Sequence, residues 1–380
     1  MAKSVCVIGA GPAGLVAAKT LKQQGYHVTI FEASGRIGGM WRAQPGEHGD
    51  KCGPAMRTNL SRFTVAFSDL SWSSVELPSP SAELPMFSRA WQVGRYLQTY
   101  ARKYCLDACI KLNAPVCSVR RIENSGVWQV SCTDRKTGDA STYRFDFLVV
   151  ASGFFGKPAT TFDPIAGGNS PNIKHSSSFR ELSDLTQKAG KIAIIGGGIS
   201  GSEAAAQAAF QISSARYVPG KTKPAHAQST VYHVINRPFY CLPRYLPQQI
   251  RQPDENFDPA PRFLPLDLAM YNLSRRGEGQ ISAAISTVPT DKAYKGHGFM
   301  RSVIGGDQSD VGRPELVYTD SQLGYPGYTG ITDTYMEFVR SGIIVPLRGW
   351  VDEVKAGEGT DFNIKVTPKQ PWAHEDHNVR

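Results

Sequence analysis

The apolar positions of this chain gather into short unbroken runs, and two of them lead into the same spacing of glycines. "VCVI" at 5–8 runs into Gly9-x-Gly11-x-x-Gly14, and "IAII" at 192–195 runs into Gly196-x-Gly198-x-x-Gly201. Runs this short, with no polar alternation, suit central parallel strands covered on both faces. After the first, the pattern predicts a helix to Gln24 closed by Gly25, then a strand over His27–Phe31 that ends at Glu32. After the second, it predicts a helix through about Ile212, an insertion over 213–229 and a strand over Thr230–Ile235. Between the two units, Val93, Tyr96, Leu97, Tyr100, Ala101 and Tyr104 keep helical spacing and read as core. "VWQVSC" at 127–132 and "FLVVASGFF" at 147–155 read as strands on either side of a polar hairpin. "DFNIKV" at 361–366 reads as the strand that would precede a second such hairpin, so the last strand of the repeat is expected to be missing.

Each glycine of the first motif has a distinct task. Gly9 allows a tight turn, Gly11 lets a pyrophosphate approach the backbone, and Gly14 lets helix and strand pack closely. Pro12 and Ala13 open the helix, whose unpaired N–H groups would face the anion. Glu32, 18 residues past Gly14, is placed to bind ribose hydroxyls and to repel a 2′-phosphate. "GGMWR" at 38–42 adds a second close-approach glycine pair, with Gly39, Met40 and Trp41, as a long cofactor needs. The first unit is therefore expected to take FAD. In the second motif, Gly196, Gly198, Ser200 and Gly201 repeat the cradle, but Asn236 and Arg237 stand after the following strand instead of an acid. A guanidinium there offers a planar fork for a phosphate, so the second unit reads as an NADPH site.

The fold class that follows is α/β: two Rossmann-like dinucleotide-binding domains, three-layered, with the C-terminal closing segment missing. The expected boundaries are an FAD-binding domain over 1–160, a Gly/Pro/Ser-rich crossing over 161–190 and an NADPH-binding domain over 191–380. At 380 residues two domains are the natural number. The net charge of +9 comes from scattered Lys and Arg, which reads as a generally basic surface and not as a nucleic-acid module. No apolar run reaches the length of a membrane helix, and Met1-Ala2-Lys3 leads straight into the first strand, so no signal peptide is expected. Seven cysteines without Cys-x-x-Cys spacing suit a reducing, cytoplasmic compartment. His374 and His377 read as part of a tail and not as a metal site.

Taken together, these residues resemble the flavin-containing monooxygenases, a family of class B flavoprotein monooxygenases. The likeness rests on the fingerprint at 9–14 with Glu32, "GGMW" at 38–41, "RTNLSRFTVAFSDLSW" at 57–72, "VVASG" at 149–153 and "HSSSFR" at 175–180, closed by the second fingerprint and Arg237. In the signature that ends at "HSSSFR", Asn169 and Pro171 stand at the Phe and Gly positions and Phe179 at the Tyr position, which leaves the role of His175 open. Arg180 stands where Baeyer–Villiger relatives have proline, and this favours the branch that oxygenates heteroatoms. The resemblance implies NADPH reducing FAD, a C4a-hydroperoxyflavin, and oxygen transfer to a nucleophilic nitrogen or sulfur of a small molecule. It implies Asn59 as the catalytic residue beside the flavin and Val116 as a further cofactor-binding position. Baeyer–Villiger oxygenation of a ketone and a truncated, weakly catalytic nucleotide-binding relative stand as alternatives. The pyridine nucleotide–disulfide reductases share the double cradle, but the Cys-x-x-Cys pair is absent. The expected partners are a small-molecule substrate and O2, with a homo-oligomer left open.

Overall fold

The computed structural model describes residues 2–42, 44, 52, 56–76, 84–123, 125–156, 172–186, 188–220, 222–247, 262–270, 288–357 and 361–368. His374 and His377 lie outside the described residues. The chain divides into two compact units, Met1–Pro158 and Ala159–Arg380.

The first unit opens with β1 (Ser4–Ile8), α1 (Pro12–Gln23) and β2 (His27–Phe31). After a long connection come α2 (Ala90–Lys103), β3 (Ile110–Lys111), β4 (Val116–Arg121), β5 (Trp128–Thr133), β6 (Ala140–Phe145) and β7 (Phe147–Val150). A parallel sheet runs in the order β3-β2-β1-β7, and β4-β5-β6 form a separate antiparallel sheet. The alternation of side chains along β1 explains the three layers. Val5 and Val7 point to a core shared with α1 and α2, while Cys6 points to Phe31, Val130, Cys132 and Phe145 under the antiparallel sheet. The stripe on α2 buries Val93, Tyr96, Leu97 and Tyr100 as its spacing predicts, each contributing about 1.5–3 kcal/mol. The polar stretch after β5 is more than a hairpin turn, because "ASTYRF" pairs along its whole length as β6.

The second unit begins with β8 (Lys191–Ile195), α3 (Ile199–Tyr217) and β9 (Thr230–Ile235). It continues through β10 (Tyr240–Leu242), β11 (Tyr245–Pro247), β12 (Phe263–Pro265), α4 (Leu266–Met270), α5 (Thr290–Ile304), β13 (Thr329–Ile331), α6 (Tyr335–Arg340), β14 (Ile344–Arg348), β15 (Trp350–Ala356) and β16 (Phe362–Thr367). Its parallel sheet runs β14-β9-β8, and β15 and β16 form an antiparallel hairpin. Helix α3 extends past Ile212 to Tyr217, because Ile212 and Ala215 continue its buried face; the first turn of the expected insertion is thus helix. Residues 172–186 of the expected crossing are built into this unit. Phe179 and Leu182 lie in its core, and the Gln211 side chain accepts from Leu182 N–H and donates to the Arg180 carbonyl. Among the described residues no helix is long and apolar enough to cross a membrane.

Candidate functional site: two glycine cradles

At the first cradle the Gly9 N–H donates to the Phe31 carbonyl at 2.8 Å, and Gly9 takes φ +103°, which favours glycine. A Cβ on Gly14 would lie 1.9 Å from the Gly9 carbonyl oxygen, so only glycine lets α1 start this close to the strand end. Gly11 differs. A Cβ there would come no nearer than 3.7 Å to a neighbouring atom, Gly39 Cα, so the protein itself leaves room for it. Glycine at 11 keeps open a space that the other described residues do not fill. Helix α1 begins at Pro12 without a side-chain cap, and Ala13 follows in the same turn, so its first N–H groups remain available to an anion. Glu32, nearly buried, accepts from Ala10 N–H at 2.8 Å through Oε2 and from Ser34 N–H at 2.8 Å through Oε1. The carboxylate thus ties the end of β2 to the glycine loop and keeps acceptor capacity for a ligand hydroxyl. Gly38 N–H donates to the Ala10 carbonyl at 2.9 Å, which brings Gly39, Met40 and Trp41 against the same loop.

The second cradle repeats these distances. Gly196 takes φ +123°, its N–H donates to the Val234 carbonyl at 3.0 Å, and a Cβ on Gly201 would lie 1.8 Å from the Gly196 carbonyl oxygen. Helix α3 starts without a side-chain cap, and Ser200 is exposed in its first turn. The residues behind the loop differ. Ile195 pairs with Val234 as Ile8 pairs with Phe31, so the position of Glu32 is held by Ile235 and not by Asn236. The fully buried Ile235 packs against Gly197, where a Cβ would approach the isoleucine Cβ to 3.2 Å. Arg237 therefore corresponds to Ser34, and its guanidinium lies 4.4 Å from the centroid of the Tyr328 ring. A cleft of about 290 Å³ opens here, lined by Gly196, Gly198, Asn236, Arg237, Tyr328 and Trp350 among others.

Beneath this loop sits His233, fully buried where the first unit has Ile30. Its Nε2 lies 2.9 Å from the Gly196 carbonyl oxygen and its Nδ1 2.7 Å from the Tyr335 hydroxyl. A neutral ring donates from Nε2 and accepts the tyrosine proton at Nδ1. Burial pushes the imidazole down to about 4 from its ordinary 6.5. The folded chain then refuses a proton that the unfolded chain takes up, so this contribution is complete above pH 6.5 and is lost as pH falls towards 4. It amounts to about 3 kcal/mol. Urea unfolding of the parent and of His233→Gln between pH 7 and 4 should show the parent losing that much more; parallel curves would remove the effect.

The remaining predicted residues lie elsewhere in their units. Asn59 stands half-buried in a strap held by Thr58 N–H on the Ser88 carbonyl at 2.9 Å and Arg62 N–H on the Met86 carbonyl at 2.8 Å. Val116 lies on β4 and packs against the Cys6–Phe31 core, two residues past Ala114, whose N–H donates to the Glu32 carbonyl at 2.9 Å. His175 is exposed, and its Nδ1 accepts from Ser177 N–H at 3.2 Å. All seven cysteines carry free thiols. Tyr328, His233 and Trp350 escaped the sequence reading, since none of them stands in a spaced motif with the cradle it adjoins.

Residues 3–252 match the family model described as pyridine nucleotide-disulphide oxidoreductase. The chain belongs to that family. Within it, the curated relatives bear out the resemblance to flavin-containing monooxygenases. Flavin-containing monooxygenase FMO GS-OX-like 6 of Arabidopsis thaliana is 29% identical over 245 residues, covering 60% of this chain and 51% of the relative. Senecionine N-oxygenase of Tyria jacobaeae is 29% identical over 245 residues, covering 62% and 50%. The chain spans about half the length of such relatives. Among solved structures, FAD-bound OTEMO matches with TM-score 0.58 at 17% identity, over 96% of this chain and 67% of its own. This last likeness shows the fold, a Rossmann-type α/β architecture of the family.

Proposed function

We propose that the chain is an FAD- and NADPH-dependent monooxygenase that oxygenates a nucleophilic nitrogen or sulfur centre of a small molecule. The observation that carries the reading is a pair of cradles alike at their second and third glycines and different in the residue behind the loop: a carboxylate in one, an aliphatic side chain followed by Arg237 in the other. The residues present fit both nucleotides, because Gly11 and Gly198 leave space that a Cβ would enter and both helices start uncapped. Gly9, Gly11, Gly14 and the first turn of α1 would hold the FAD pyrophosphate, with Glu32 on the ribose. Gly196, Gly198, Gly201, Ser200 and the first turn of α3 would hold that of NADPH, with Arg237 on the 2′-phosphate. Bound together, the two supply hydride transfer and the activation of O2. The chain's own task is to orient the nucleotides and exclude water; Asn59 would hold a hydrogen bond at the flavin edge, as the resemblance suggests.

The test is the absorbance of the purified chain near 450 nm with added FAD, followed by NADPH and O2 consumption with a tertiary amine, a thioether and a cyclic ketone. Retained flavin and turnover stimulated by the amine or thioether are expected. Stimulation by the ketone alone would move the reading to Baeyer–Villiger chemistry, and failure to take up flavin would end it. In Asn59→Ala, NADPH oxidation should persist while product gives way to hydrogen peroxide; unchanged coupling would return Asn59 to a turn residue.

A further inference from the structure

Arg237 and Gly198 meet at one residue that no motif marks. The Tyr328 ring carries the Arg237 guanidinium, and a Cβ on Gly198 would lie 3.6 Å from the Tyr328 hydroxyl oxygen. In the first cradle the corresponding neighbour of Gly11 is backbone, at Gly39. The main chain around Tyr328 is held firmly. Its N–H donates to the Tyr318 hydroxyl at 2.7 Å, its carbonyl accepts from Tyr240 N–H at 2.8 Å, and the Tyr318 hydroxyl donates to the Pro238 carbonyl at 2.7 Å. The preceding residue must be small, since a Cβ on Gly327 would lie 3.0 Å from the His297 ring. Much of the local packing thus fixes where Tyr328 stands. Yet among the described residues nothing bonds to its hydroxyl, which faces the cleft above the second cradle.

We propose that Tyr328 is a nucleotide-binding residue of the second cradle, its hydroxyl donating to the pyrophosphate above Gly198 while its ring fixes the Arg237 guanidinium for the 2′-phosphate. The proposal rests on the reading of this cleft as the NADPH site. A phenol donor to an anionic oxygen forms a charge-assisted hydrogen bond, stronger than a neutral pair. The two roles of the side chain separate cleanly. The hydroxyl serves a group that NADP+ and NAD+ share, and the ring serves a group that only NADP+ carries.

Calorimetric titration of the full chain with NADP+ and with NAD+ tests this. Tyr328→Phe keeps the ring and should weaken both nucleotides alike, about 10-fold. Tyr328→Leu removes the platform as well and should further lower the preference for NADP+ over NAD+. Equal or tighter binding by the Phe variant would overturn the proposal, tighter binding making Tyr328 a plug of the cleft. A loss of affinity that tracks a fall in melting temperature would overturn it too, as damage to the fold. If the unmodified chain binds neither nucleotide, the NADPH reading itself fails and this proposal with it; if it binds and the Phe variant is unchanged, only Tyr328 is withdrawn.

Discussion

Gly11→Val is expected to lose flavin retention by a factor on the order of 100 or more while the chain stays folded, a change of about 3 kcal/mol in binding. The expectation comes from the contrast between two glycines three residues apart. At Gly14 a Cβ would strike the Gly9 carbonyl at 1.9 Å, so Gly14→Ala should damage the unit itself. At Gly11 the nearest atom among the described residues would stand 3.7 Å from a Cβ, and valine would project into the space that a pyrophosphate needs. The ratio of absorbance near 450 nm to protein absorbance reads the first effect, and the melting temperature separates it from the second. NADP+ affinity should survive in Gly11→Val, because the second cradle is built from residues of the other unit. Equal loss at both sites would mean general unfolding and would remove the argument for independent cradles.

Arg237→Ala is expected to weaken NADPH about 10- to 100-fold, the loss of a charge-assisted contact worth roughly 1.5–3 kcal/mol. NADH lacks the 2′-phosphate and should change little, so the Michaelis constant for NADPH should rise at nearly constant NADH kinetics. The structure adds a reason for a clean result. Arg237 projects into the cleft over Tyr328, so its removal takes away a ring contact at the rim and leaves the core intact. If both nucleotides weakened equally, Arg237 would serve the fold or the nicotinamide end; if neither did, the 2′-phosphate would be read by another group.

The cradles were legible because each is a local device: a strand, three glycines and a helix in one continuous stretch of chain. The partners of those cradles were not. Tyr328 lies 130 residues beyond Gly198 and reaches it only because β13 pairs with β10. The offset at Ile235 was hidden for a different reason. Strand β9 runs one residue longer than β2, and only pairing with β8 shows which position adjoins the loop. Strand β6 went unseen because "ASTYRF" lies mostly exposed and carries little of the apolar pattern that marks a covered strand. His233 looked like one more residue of an apolar strand, and nothing local tells a buried imidazole that holds a carbonyl from one on the surface.

The exchange of Glu32 for Ile235 also divides the two loops in how their amide protons meet solvent. The Ala10 N–H already rests on the Glu32 carboxylate and should trade its proton for deuterium slowly, whether or not a nucleotide is bound. Its counterpart Gly197 stands beside an aliphatic side chain, and no described residue accepts from its N–H. That amide is left to the solvent until an anionic oxygen arrives. The first loop is thus stiff in advance, whereas the second carries, besides the open amides of the helix turn that follows, one more proton whose rate of isotope uptake follows occupancy of the cleft.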